Sequence, residues 1–227
     1  LIGERELHVW LARTDIAGDR IRELTAILDE AERARVARFR FEDDQRRAIV
    51  ARASLRTLLG RYLDRAPREL RFVFGPQGKP ALADAALEFN VSHSGAFVAL
   101  AFARDAPLGV DVECAHRTSN MLAIAERFFS PAEAELVRNA PDVAAAFYTT
   151  WTAKESVIKA IGGGLSIDLK SFRVTPARER FTPVESTTLG DWYVQSLPEP
   201  ADGYHAAVAI RGADWTTIVR NIGAVNG

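Results

Sequence analysis

Gly109-Val110-Asp111-Val112-Glu113 is the stretch on which the fold turns. Its β-branched valines favour an extended chain, and a strand's period of two sends Asp111 and Glu113 to the same face. By itself an Asp-x-Glu pair of this kind reads as well as the wet face of a strand end. Just before it, the apolar runs Phe97 to Phe102 and Leu108 to Glu113 are separated by Ala103 to Pro107, a spacing that predicts an antiparallel hairpin.

Working outward toward the start, Leu7 to Leu11 reads as a strand, and Ile21 to Arg38 carries apolar residues at helical spacing. A second helix is expected from Asp44 to Leu63, where Ile49, Val50, Ala53, Leu58, Leu59, Tyr62 and Leu63 form an apolar stripe. Leu70 to Phe74 alternates as a strand and leads into the turn Gly75-Pro76-Gln77-Gly78. Toward the other end the order of elements returns loosely. A helix is expected over Asp142 to Ile161, then strands at Ser171 to Val174, Trp192 to Ser196, Tyr204 to Ile210 and Trp215 to Val219. The reading is an α+β protein of two similar halves, 1–108 and 109–227.

The bulk properties fit that class. The chain has 227 residues, 48% hydrophobic and 26% charged, which is enough for one sizeable core or two small ones and excludes a disordered chain. A net charge of -1 argues against a surface built throughout for nucleic acid or an anionic membrane. From Arg33 to Arg71, however, 12 arginines face 5 acids, a segment suited either to a polyanionic ligand or to a solvated helix face. Cys114 is the only cysteine, so no intrachain disulfide can form. No stretch reaches the roughly 20 apolar residues of a membrane span, and Leu1 to Leu11 lacks the apolar core of a signal peptide, so a soluble cytoplasmic protein without a membrane partner is expected.

Two further motifs carry chemistry. In Trp151-Thr152-Ala153-Lys154-Glu155-Ser156-Val157-Ile158-Lys159, residues Trp151, Glu155 and Lys159 share one helix face, whereas Lys154 points elsewhere. Glu155 and Lys159 also make an i, i+4 ion pair that needs no further role. The glycines Gly162 to Gly164 after them read as a C-cap and turn rather than a phosphate cradle. If Asp111, Glu113 and Glu155 converge at roughly 5 Å, each pair repels by about 3 kcal/mol at an effective dielectric near 20, and a cation would relieve them. Oxygen ligands alone suit Mg²⁺, whereas zinc wants His or Cys partners. The second motif, Phe89-Asn90-Val91-Ser92-His93-Ser94-Gly95, preceded by Gly78-Lys79-Pro80, gathers hydroxyls, an imidazole and an ammonium that suit either phosphate oxygens or a local hydrogen-bonded turn.

In this order, and joined by Arg127-Phe128-Phe129-Ser130 and Gly164-Leu165-Ser166, the motifs resemble the surfactin-synthetase-activator (Sfp) type of 4'-phosphopantetheinyl transferase over most of the chain. The resemblance implies two pseudo-symmetric α+β halves with coenzyme A in the cleft between them. It implies Asp111, Glu113 and Glu155 as Mg²⁺ ligands and Lys159 near the reacting phosphate. Lys79, Pro80, Ser92, His93 and Arg47 are implied around the phosphates or adenine of coenzyme A. On the first helix Arg35 fits a contact to the 3'-phosphate, while Glu32 stands where a second base is expected. The implied reaction moves the phosphopantetheine arm to a serine of an acyl or peptidyl carrier protein, in fatty-acid, polyketide or nonribosomal peptide biosynthesis. Two halves in one chain imply a monomer. Glu155, directly or through a metal-bound water, is the expected general base, and the surface from Phe128 to Glu135 part of the carrier docking site. Against this stand a Mg²⁺-dependent nuclease and a nucleic-acid-binding module. A nuclease of that kind would want a lysine two residues after the second carboxylate, where Ala115 stands.

Overall fold

The computed structural model describes residues 2–83, 87–115 and 120–222. The chain opens with β1 (Glu6–Arg13), α1 (Gly18–Ile27), α2 (Glu30–Val36) and the long α3 (Glu42–Leu63). A small ribbon, β2 (Phe72–Phe74) with β3 (Pro80–Leu82), precedes β4 (Leu87–Ser94), β5 (Phe97–Arg104) and β6 (Leu108–Cys114). Then come α4 (Met121–Phe128), α5 (Pro131–Asn139), α6 (Val143–Ile161), β7 (Thr182–Pro183), β8 (Trp192–Ser196), β9 (Tyr204–Arg211) and β10 (Thr216–Ile222).

Two four-stranded sheets result, in the orders β10-β1-β5-β4 and β6-β9-β8-β7. A long helix lies on the outer face of each. Ile49, Val50, Ala53 and Leu59 of α3 bury themselves with Val98, Leu100 and Phe102 of β5. Ala153, Val157 and Ala160 of α6 do the same with Val194, Ala207 and Ala209. The inner faces pack on each other through Leu7, Val9, Ala99 and Ala101 on one side and Val110, Val112, Ala206 and Val208 on the other. The layers are therefore helix, sheet, sheet, helix, the α+β arrangement of two halves that the sequence predicts. Val110 and Val112 are fully buried, and such a side chain contributes about 1.5–3 kcal/mol when removed from water.

Four expectations need correcting. β5 and β6 are not a hairpin, because β5 pairs with β1 and β4 whereas β6, among the described residues, pairs with β9 alone. The helix expected over Ile21 to Arg38 is two helices, broken at Leu28, with Asp29 and Glu32 forming a capping box that starts α2 afresh. Ser171 to Val174 is not a strand but the end of a 3-10 turn followed by a single bridge from Arg173 to Glu185. The last strand does not stay with its own half either: β10 runs parallel to β1 in the first sheet, with Val9 opposite Val219.

The sheets also meet along one edge. β4 and β6 share no main-chain ladder, yet three amides of β6 find acceptors on β4 side chains. Val110 N donates to Asn90 Oδ1 at 3.0 Å, Val112 N to Ser92 Oγ at 3.4 Å and Cys114 N to Ser94 Oγ at 3.1 Å. Asn90, Ser92 and Ser94 take this role together because alternate residues of a strand share a face. The seam gives β6 the partners its edge would otherwise lack.

Candidate active site

Gly109, Asp111 and Glu113 lie on the face of β6 that meets α6. A Cβ on Gly109 would come 2.1 Å from Ser156 O and 2.4 Å from Ala160 N, so only glycine lets the helix approach so closely. That approach brings Lys159 Nζ within 2.6 Å of Asp111 Oδ1. Ser92 Oγ donates to the same oxygen at 2.8 Å and accepts from Lys159 Nζ at 2.8 Å. Ser94 Oγ donates to Glu113 Oε2 at 2.8 Å. The seam residues thus orient both strand carboxylates.

Electrostatics shows that the three carboxylates sense one another. Burial pushes the Asp111 carboxyl above its usual range, against the pull of Lys159 and Ser92. Glu113 is raised by burial and then by Asp111, with Glu155 adding to it. Glu155 is raised by burial and then by Asp111, with Lys159 opposing. Among the described residues, no three His, Cys, Asp or Glu side chains stand at distances that would already hold an ion. A cation nevertheless suits the donors. Asp111 is 2% exposed and its Oδ2 is buried without a hydrogen-bond partner. A donor set of carboxylate oxygens favours Mg²⁺.

Two clefts open beside these groups. One, of about 580 Å³, is lined by Glu155, Lys159, Lys79, Phe128, Gly162 and Gly164. The other, of about 480 Å³, lies between α2, α3 and the β2–β3 ribbon and is lined by Arg35, Phe74, His93 and further arginines. Pro80 and Val91 line both, which makes the clefts neighbours. Gly162 ends α6 in the left-handed conformation, φ 76°, its N–H on Ile158 O, as the C-cap reading expects.

The motif from Phe89 to Gly95 therefore divides by parity. His93 faces the α3 side and the smaller cleft, and burial, with the charges of Arg47 and Lys159, pushes its imidazole pKa down. Ser92 lines neither cleft; its hydroxyl serves Asp111 and Lys159. Arg47 pairs with Asp44 and donates to Gly95 O at 3.3 Å. Lys79 donates to Leu108 O at 3.0 Å and Ala160 O at 3.2 Å, and burial lowers its pKa. Arg35 lies 5.3 Å over the Phe74 ring. Glu32 is explained by its partners, since it accepts from Arg56 Nε at 2.7 Å and pairs with Arg52.

Several residues that shape the site escape sequence reasoning. Asn90 and Ser94 stand in the quoted motif, but their bonds to β6 follow only once β4 is known to border it. Lys154, fully buried, pairs with buried Glu133 at 2.9 Å and donates to Leu169 O and Phe172 O. It fixes the face of α6 that lies about 100° round the helix from Glu155. The alternation of charge in Lys154-Glu155 hinted that one faces inward.

The chain is similar to known proteins over both halves. The family model described as 4'-phosphopantetheinyl transferase superfamily matches residues 107–209, and the model for the 4'-phosphopantetheinyl transferase N-terminal region matches residues 17–105. The 4'-phosphopantetheinyl transferase HetI of Nostoc sp. is 35% identical over 217 residues, covering 92% of this chain and 90% of the relative. The 4'-phosphopantetheinyl transferase Sfp of Bacillus subtilis is 34% identical over 194 residues, covering 84% and 85%. Family models matched to both halves, and a relative 35% identical over 92% of this chain, mean that the chain belongs to the 4'-phosphopantetheinyl transferase family.

Proposed function

We propose that this transferase takes its phosphopantetheine arm from coenzyme A bound across the two neighbouring clefts, with Asp111, Glu113 and Glu155 holding Mg²⁺ where the clefts meet the seam. The observation that carries this reading is Asp111 Oδ2, a buried carboxylate oxygen with no partner beside two further carboxylates of raised pKa. Bound there, Mg²⁺ would neutralise charge on the pyrophosphate oxygens.

The chain's own groups do the rest. Lys159, 30% exposed, can keep its bonds to Asp111 and Ser92 while its third N–H reaches a phosphate oxygen in the larger cleft, where it stabilises the charge that develops on transfer. Ser92 and Ser94 hold Asp111 and Glu113 in place. His93 and Arg35, which line the smaller cleft, and Arg47, whose charge acts on His93, bind the nucleotide end, Pro80 marks the passage between clefts, and Lys79 joins Leu108 to Ala160 at its wall. The carrier serine oxygen attacks the β-phosphorus, the bond to 3',5'-ADP breaks, and Glu155 accepts the serine proton. As a carboxylate beside the reacting groups it lies where a general base is needed. Acyl and peptidyl carriers are the partners, and one chain holds a whole site, which favours a monomer. Among the described residues no helix is long and apolar enough to cross a membrane. The family match speaks against the nuclease reading; the arginines between Arg33 and Arg71 mostly face solvent, although Arg56 is buried on Asp29 and Glu32, and Arg33 and Arg68 donate to main-chain carbonyls.

The test is to incubate the protein with coenzyme A, Mg²⁺ and an apo carrier and weigh the carrier. Mass gain by one phosphopantetheine is expected, abolished by chelation and reduced about 100-fold or more by Glu155→Gln. No gain over several carriers, or full turnover in Glu155→Gln, refutes the respective assignment.

A further inference from the structure

Tyr204 opens β9 directly opposite Cys114 of β6, and its ring turns inward while Glu113, one residue before Cys114, faces the other way toward α6. From there it reaches the first half, at the two-residue turn Gly95-Ala96 that joins β4 to β5. Its hydroxyl accepts from Ala96 N at 2.9 Å, and its ring meets Phe97 edge-on with centroids 4.8 Å apart. Gly95, at φ 53°, lies so close that a Cβ there would stand 2.2 Å from the hydroxyl. The β4–β5 ladder ends at the pair Ser94 and Phe97 and leaves the Ala96 amide out, so the tyrosine gives that N–H its acceptor. From the first half, Arg47 donates to Gly95 O at 3.3 Å and Thr14 N to Ala96 O at 2.9 Å. The turn is thus held from both halves, and from the second by Tyr204.

The turn begins one residue after Ser94, whose hydroxyl donates to Glu113 Oε2 at 2.8 Å and accepts from Cys114 N at 3.1 Å. A closed ring of contacts results. It runs from Glu113 to Ser94, through the turn to Tyr204, and back across the β9–β6 pair to Cys114. We propose that Tyr204 is a positioning residue for Glu113: by pinning the Gly95-Ala96 turn to the strand pair that carries the carboxylate, it fixes where Ser94 aims Glu113 and so sets the site's affinity for a divalent cation. This rests on the reading of Asp111, Glu113 and Glu155 as cation ligands. Ser94 engages one oxygen of Glu113, so the direction of that bond decides where the other oxygen points. Phenylalanine at this position would keep the ring on Phe97 and lose the bond to Ala96, leaving a part-buried N–H unpaired and the turn free to shift.

The test titrates the full chain with Mn²⁺, a paramagnetic stand-in for Mg²⁺, and follows the electron paramagnetic resonance of the free ion. Glu113→Gln, Ser94→Ala, Tyr204→Phe and the double variant Ser94→Ala with Tyr204→Phe are compared with wild type. Losing the partner that orients a metal ligand weakens metal binding about 10-fold or more, and Tyr204→Phe, one step further out, should weaken it about 3- to 10-fold. Because both act through the same bond to Glu113, the double variant should bind no more weakly than Ser94→Ala alone. As a control for destabilisation, Thr182→Val removes a buried hydroxyl bond at the far edge of the same sheet and should leave Mn²⁺ affinity unchanged. Wild-type affinity in Tyr204→Phe, losses that multiply in the double variant, or an equal loss in Thr182→Val overturns the proposal. If Glu113→Gln also binds as wild type does, the reading of Glu113 as a ligand fails and the proposal with it. If Glu113→Gln is weakened while Tyr204→Phe is not, the proposal alone falls.

Discussion

Replacing Gly109 with alanine tests the joint on which the site depends. The added Cβ would stand 2.1 Å from Ser156 O, 2.4 Å from Ala160 N and 2.9 Å from Lys159 C, all main-chain atoms that no rotamer change can move aside. Ordinary contact begins near 3.4 Å, so α6 must retreat by about 1 Å or β6 must bend. Overpacking of this kind costs about 1–3 kcal/mol. Ser156 and Ala160 flank Lys159 on the helix, so the retreat carries Lys159 away from Asp111, now 2.6 Å distant, and Glu155 with it. A misplacement of about 1 Å in such a constellation lowers turnover about 100-fold. Urea unfolding and carrier-loading rates, measured on the same preparation, should therefore show a folded protein with a lower midpoint and a much larger loss in kcat than stability alone explains. Wild-type activity and stability in Gly109→Ala would mean that α6 does not cross β6 at this residue.

Two further outcomes follow from buried polar groups. Ser92→Ala removes a donor to Asp111 and should lower stability at pH 7.5 by about 2–3 kcal/mol. Because Asp111 has a folded pKa above its unfolded one, its ionised form already opposes folding, and that penalty is absent below the unfolded pKa and sets in as pH rises through it toward the folded pKa. The cost of Ser92→Ala should therefore shrink in acid, and an equal cost at pH 7.5 and at low pH in urea titrations would refute the reasoning. Lys154→Met leaves Glu133 buried without its cation and should cost about 3–5 kcal/mol, of which Glu133→Gln in the same chain recovers a part. Strictly additive losses in a double-mutant cycle would show that the two do not act as a pair.

Much of the site could be read from periodicity. Asp111 and Glu113 share a face because strands repeat every two residues, and Glu155 with Lys159 because helices repeat every 3.6. The same rule, applied to Phe89 to Gly95, would have parted His93 from Ser92 and sent only the former to the smaller cleft. The break between α1 and α2 was legible too, as the capping box Asp29-x-x-Glu32, but continuous helical spacing on both sides of it obscured the signal. What periodicity cannot carry is the neighbour of a strand. Leu108 to Cys114 follows Phe97 to Arg104 closely enough for a hairpin, yet it joins Tyr204 to Arg211, some 90 residues on, because its valines bury better between two sheets than beside β5. The roles of Asn90, Ser94 and Tyr204 all depend on such distant juxtapositions.

The return of β10 to the first sheet bears on how the protein can be cut. A fragment ending at Leu108 would expose the outer edge of β1 along Glu6 to Ala12, where Thr216 to Ile222 now pairs. An open edge of that length invites pairing with another chain. The remainder, from Gly109 onward, would carry a strand with no sheet to join. Co-expressed, the two pieces have complementary needs: each holds what the other's edge is missing, so the protein is better suited to reconstitution from halves than to the isolation of either one.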